Sequence, residues 1–166
     1  KSAVPAVEKN YTNPKVKIPN HEYMTGGFST IFMSRNRVRP YNLPSFTIQA
    51  GGRHAPLHPQ APQMIVIGKD ERAFVPGAED LYRRLSVREC ARVQTFPDEH
   101  LFLYSKVADG YKMVGNAVPV KFAEQLANKI KSDLKGLTKI DRSEVIEGEV
   151  IGPDFGMQSD GTYRLF

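Results

Sequence analysis

The residues best suited to chemistry fall in three places along the chain. Arg35, Arg37 and Arg39 stand at alternate positions in Ser34-Arg-Asn-Arg-Val-Arg-Pro40, so an extended backbone would turn the three guanidinium groups to one side. Such a row follows a phosphate backbone or sets forked donors against guanine O6 and N7. A surface hairpin with solvated arginines has the same composition. Gln49 adds an amide able to make paired hydrogen bonds, just before Gly51-Gly52-Arg53-His54, where glycine permits close approach of a ligand to the backbone. Farther on, Gly115-Asn116 lead into a helix-forming stretch, whose first N–H groups favour a carboxylate or phosphate, although most helix starts cap themselves. Two other chemistries are excluded. Cys90 is the only cysteine, so no internal disulfide forms, and it lies on an apolar helical stripe where a buried thiol is the usual role. His54 and His58 are four apart, but Pro56 and Pro59 break any helix there and no paired acid supports a metal site.

The elements that must position these residues are legible in part. Ser86 with Glu89 three residues on makes a capping box, and Val87, Cys90, Ala91 and Val93 follow at helical spacing until Pro97-Asp98 ends the helix. A second, longer helix is predicted over 118–134, with Val118, Phe122, Leu126, Ile130 and Leu134 in one stripe, Pro119 in its first turn and Gly136 as its stop. Residues 28–33 and 45–50 read as strands, as do 64–67 and 72–75 around a Gly68-Lys-Asp-Glu turn. Leu101, Phe102, Leu103 and Tyr104 read as core in the connection over 100–107. Residues 1–21, rich in Pro, Lys and Asn, read as a lead-in or linker. Residues 137–166 read as an acidic tail with a short alternating run: a family-external extension, a mobile tail or an edge strand on a partner.

Two of these segments resemble the ninth and tenth sequence blocks of the DNA (cytosine-5) methyltransferases. The ninth is similar to Arg84-Leu-Ser-Val-Arg-Glu-Cys-Ala-Arg-Val-Gln-Thr-Phe-Pro-Asp98 in its Arg-Glu-x-Ala-Arg-x-Gln-x-Phe-Pro core, and the tenth to Tyr111-Lys-Met-Val-Gly-Asn-Ala-Val-Pro119. Both occur in the family's order, and the likeness covers roughly residues 22–134. It implies the C-terminal part of a bacterial enzyme, an α+β chain. A small, mostly antiparallel β target recognition lobe with the ninth-block helix spans 22–98. A connection, the tenth block and a C-terminal helix over 99–136 then pack on a Rossmann-like domain that binds S-adenosyl-L-methionine.

By the same resemblance, Thr47-Ile48 matches the Thr-aliphatic pair of the recognition domain. Thr47, Gln49, Gly51, Gly52, Arg53 and His54 would face double-stranded DNA, with Ser34, Arg35, Asn36 and Arg37 as a second element. Asn116, Ala117 and Val118 would help bind the cofactor; Ala117 stands where the family often has Ser, leaving only its backbone N–H. Arg84, Ser86, Arg88, Glu89, Arg92 and Gly115 would be scaffold, with Arg88 and Glu89 bonded to the backbone or to each other. The family's Pro-Cys nucleophile, Glu-Asn-Val acid, Phe-x-Gly-x-Gly cofactor loop and Gln-x-Arg block are not in this sequence. The implied partner is therefore an upstream catalytic domain or a separate catalytic subunit, with no activity for this chain alone. A non-enzymatic DNA-binding remnant or regulatory subunit, and an unrelated α+β interaction domain, are the alternatives.

Composition agrees. The first sixty residues hold eight Lys and Arg against Glu8 and Glu22, a balance suited to phosphate, whereas from Asp141 onward Arg142 and Arg164 face six acids. No apolar run reaches the length of a membrane span and no signal-peptide pattern opens the chain, which with a single thiol leads to the expectation of a cytoplasmic protein without membrane or metal partners.

Overall fold

The computed structural model describes residues 2–137; the expected acidic tail lies outside them. The chain divides into two compact units, Lys1–Leu126 and Ala127–Phe166. The architecture is α+β, but strands are few and short. β1 (Val4–Pro5) pairs in parallel with β2 (Glu22–Tyr23), and β3 (Ile65–Gly68) pairs antiparallel with β4 (Glu71–Ala73). Helices are α1 (Thr30–Met33), α2 (Val87–Val93), α3 (Val107–Asn116) and α4 (Val120–Leu137).

The lobe expected to be mostly antiparallel β is thus largely loop, and four readings are corrected. Residues 28–33 hold α1 rather than a strand: Ser29 Oγ accepts from Phe32 N–H at 3.2 Å, and burial of Phe32 alone, with Ile31 exposed, suits one helical turn. Residues 45–50 belong to no sheet, although Ile48 points inward and Thr47 and Gln49 outward. Residues 2–21 lie inside the first unit, tied by Val4 N–H to His21 O at 3.0 Å and Ala6 N–H to Tyr23 O at 2.9 Å. In the connection, Phe102 is buried while Leu101 and Leu103 are exposed. The 64–75 hairpin forms, with Asp70 taking the left-handed turn conformation.

α2 and α3 hold the main core. Val87, Cys90 and Ala91 of α2 meet Val107, Tyr111 and Val114 of α3, with Ile48, Ala55, Leu85 and Phe102 around them. A second cluster, Phe32, Val38, Leu57, Met64 and Tyr82 with Phe28 and Phe74, supports the arginine-rich segment. Leu57 joins the two: its N–H donates to Arg37 O at 3.0 Å, and next to it Leu85 N–H donates to Pro56 O at 2.8 Å. The arginine segment, the 52–58 loop and the entry to α2 are held side by side by these bonds.

Candidate nucleic-acid interface and cofactor lip

The ninth-block helix is a hub for buried guanidinium groups. Arg88 is fully buried and donates to Pro19 O (3.1 Å), Pro97 O (3.2 Å), His100 O (2.7 Å) and Asn20 Oδ1 (3.2 Å). One side chain therefore joins the N-terminal segment to both ends of the turn after α2. Arg84, also buried, donates to Gly26 O at 3.0 Å and Gly27 O at 2.8 Å while lying 4.1 Å over the Phe28 ring. Ser86 and Glu89 form the reciprocal capping box, at 3.1 and 2.8 Å. The ionic partner of Glu89 is Arg83, in a two-pronged pair at 2.7 and 2.8 Å, and not the neighbouring Arg88. Burial alone would raise the Glu89 carboxyl, but the Arg83 bonds, the Ser86 amide and His58 outweigh it and leave the pKa lowered. Arg92 pairs with Asp98 at 2.7 Å on the surface. Burial, with Glu89 beside it, pushes the Cys90 thiol well up, so no thiolate forms there at neutral pH.

α3 props up the loop at 47–54. The Tyr111 ring lies where a side chain on Gly52 would be, and its hydroxyl donates to Leu85 O and accepts from Met24 N–H at 3.3 Å. Gly115 packs its bare Cα against the backbone of Gln49 and Ala50, so closely that a Cβ would overlap both. Upon this support Thr47, Gln49, Arg53 and His54 are exposed, Gly51 is half-buried and Gly52 is buried.

The second segment is less open than its spacing implies. Arg35 is exposed. Arg37 turns back: Nε donates to Phe32 O at 2.8 Å and Nη2 to Ile31 O at 3.0 Å, closing the end of α1. Arg39 lies 4.2 Å over the Phe46 ring. Asn36 is spent on its own turn, donating to Val38 O at 2.7 Å and accepting from Met64 N–H at 3.1 Å, and Ser34 Oγ donates to Ile31 O at 2.8 Å. The row of three free guanidinium groups is corrected to one free group beside two anchored ones.

The reading of Gly115-Asn116 as the lead into a helix start with free N–H groups is also corrected. Gly115 and Asn116 end α3, and α4 begins only after Pro119. The first two amides of α4 are already engaged, Val120 N–H to Gln94 O at 3.1 Å and Lys121 N–H to Thr95 Oγ1 at 2.9 Å. A helix C-terminus carries partial negative charge, so the turn itself offers no seat for a carboxylate. What it offers is an exposed Asn116 amide, half-buried Ala117 and exposed Val118 side by side. A polar group and an apolar one thus stand together at an open turn rather than in an enclosed pocket. Sequence reasoning missed Tyr111 as the prop of the 52–54 loop; its place three residues after Ala108 and three before Val114, at helical spacing, was the available signal.

Among the described residues no cluster of His, Cys, Asp and Glu is arranged to hold a metal, and no helix is long and apolar enough to cross a membrane. Comparison with known proteins gives a consistent answer. The family profile of C-5 cytosine-specific DNA methylase matches residues 4–132. The Type II methyltransferase M.MthTI of Methanothermobacter thermautotrophicus is 64% identical over 134 residues, which is 80% of this chain and 41% of that protein. M.FnuDI of Fusobacterium nucleatum is 57% identical, covering 84% of this chain and 41% of its own. M.NgoPII of Neisseria gonorrhoeae is 52% identical, covering 81% and 39%. The chain thus spans about two fifths of the length of these relatives.

Proposed function

As this chain belongs to the C-5 cytosine-specific DNA methylase family, we propose that it is the target-reading and cofactor-completing part of a DNA (cytosine-5) methyltransferase of a restriction-modification system. The complete enzyme transfers methyl from S-adenosyl-L-methionine to C5 of a cytosine swung out of a duplex site, since that atom is out of reach inside the stack. The relatives' designation as Type II methyltransferases supports the restriction-modification setting. The chain's sole thiol is buried and raised in pKa, so the attacking sulfur comes from a catalytic domain upstream or from a separate subunit.

One observation carries this reading: the contact of Gly115 with the Gln49–Ala50 backbone. It makes the exposed loop of Thr47, Gln49, Arg53 and His54 and the exposed Asn116-Ala117-Val118 turn two faces of one support. The loop reads the duplex, joined by Arg35 from the second segment. The turn borders the cofactor: Asn116 bonds its polar part, while Ala117, whose N–H is already given to Val114 O at 3.2 Å, and Val118 cover an apolar part. Arg37, Asn36 and Ser34 shape the second segment rather than touch the bases. The apolar side of α4, with Phe122 and Leu126 exposed, is covered by the Rossmann-like domain that holds the rest of the cofactor.

The test supplies this chain with a polypeptide carrying the Pro-Cys nucleophile, labelled S-adenosyl-L-methionine and varied duplexes. Label on cytosine is expected only in the mixture or in the full-length protein. Label incorporated by this chain alone contradicts the assignment.

A further inference from the structure

A groove of about 590 Å³ opens between the turn at 8–10, residues 24–29 and the start of α3. Lys9, Arg53, Arg84 and Lys106 line it, and no carboxylate does; Glu8 and Asp109, next along the chain, are exposed but outside the lining. Among the described residues neither Lys9, Arg53 nor Lys106 makes an ion pair. The Lys106 ammonium lies 5.4 Å over the Tyr11 ring, which fixes it without neutralising it. Arg84 donates to carbonyls alone, and among the described residues its buried Nε has no partner and no acid pairs with it, so its charge is uncompensated too.

The wall is built for an anion in a second way. Arg84 draws in the carbonyls of Gly26 and Gly27. Because a trans peptide points its N–H opposite to its C=O, the amides of Gly27 and Phe28 are directed away from the guanidinium, and neither has an acceptor among the described residues. The turn that carries Lys9 is clamped to the same wall: Thr25 N–H donates to Asn10 Oδ1 at 2.7 Å, and Asn10 Nδ2 donates to Thr25 O at 3.3 Å. The turn that carries Lys9 and the wall that carries these amides are therefore fixed to one another.

We propose that this groove seats the phosphodiester backbone of the same duplex that the 47–54 loop reads, with Lys9 and Lys106 as phosphate contacts beyond those the sequence motifs indicate. The proposal rests on the methyltransferase reading. Arg53 provides the continuity, since it belongs both to the reading loop and to the groove. Contacts of this kind add affinity without base preference.

The experiment measures binding of the full-length protein that carries this chain to a duplex of ~30 base pairs, as log Kd against log salt. Lys9→Gln/Lys106→Gln is expected to lower the salt slope by about 2, at roughly 0.9 per phosphate contact, and to weaken binding on the order of tenfold at low salt. Discrimination between duplexes should not change. Lys9→Arg/Lys106→Arg, which keeps both charges, is expected to retain the wild-type slope. A Gln double variant with wild-type slope and affinity, or an Arg variant that loses as much as the Gln one, overturns the groove alone. Wild-type protein that binds no duplex overturns the methyltransferase reading as well.

Discussion

At the scale of the residue, the cations of this chain divide into those that hold the fold and those left for a ligand. Arg88 is of the first kind, since its four acceptors come from segments 9 to 69 residues away. Arg88→Ala strands buried carbonyls and opens a cavity; a loss of more than about 3 kcal/mol in urea unfolding is expected, against well under 1 kcal/mol for Arg35→Ala. Glu89 gives a pH signature. Its folded pKa lies below the ordinary 4.5, so its contribution is complete above that value and is lost as pH falls through the lower folded pKa. Glu89→Gln should therefore flatten the acid limb of stability against pH below about 4.5, read from thermal midpoints across pH 6 to 3. An unchanged acid limb would show that the Arg83 pair adds nothing to stability. The free cations, Arg35 and Arg53, predict a different readout: Arg35→Ala should weaken duplex binding and reduce its salt slope by about 1 while leaving stability alone.

At the scale of the element, the short helices are positioned by single atoms. The Ser86 cap fixes where α2 begins, and Ser86→Ala should cost about 1 kcal/mol in denaturant unfolding. α3 matters more for function. It contains Gly110 and Gly115, poor helix formers, which is why local propensity favours a loop there. Burial of Val107, Tyr111 and Val114, spaced by four and three, overrides that propensity. Gly115→Ala must push the Gln49–Ala50 backbone away. We expect it to weaken discrimination between duplexes and to raise the apparent KM for the methyl donor together, measured in the assembled enzyme. A change in only one of the two would dissociate the loop from the turn. The arginine-rich segment teaches the converse: alternate spacing predicted one face, but closing the end of α1 took Arg37 and an aromatic ring took Arg39.

At the scale of the whole molecule, α4 exposes an apolar stripe, with Phe122 at 61% and Leu134 at 57% of full accessibility. Left uncovered, such a stripe drives association, so the isolated chain should sediment as a concentration-dependent oligomer. Phe122→Lys with Leu126→Lys should return it to a monomer, and a variant that still associates would locate the contact elsewhere. The sequence by itself determined the features whose physics is local: the Ser86–Glu89 box, the hairpin turn at Asp70, the apolar period of α4, and the residue strings that place the chain in its family. Caps, turns and helical stripes depend on neighbours within four positions, and these the sequence displays directly. Tertiary structure alone decided which carbonyls receive Arg84 and Arg88, which arginines remain free, that Lys9 and Lys106 share a groove, and that Gly115 touches the loop at Gln49. The reason is separation: a buried guanidinium must find acceptors, and a bare Cα a neighbouring backbone, from segments tens of residues away, brought within reach only when the whole core closes.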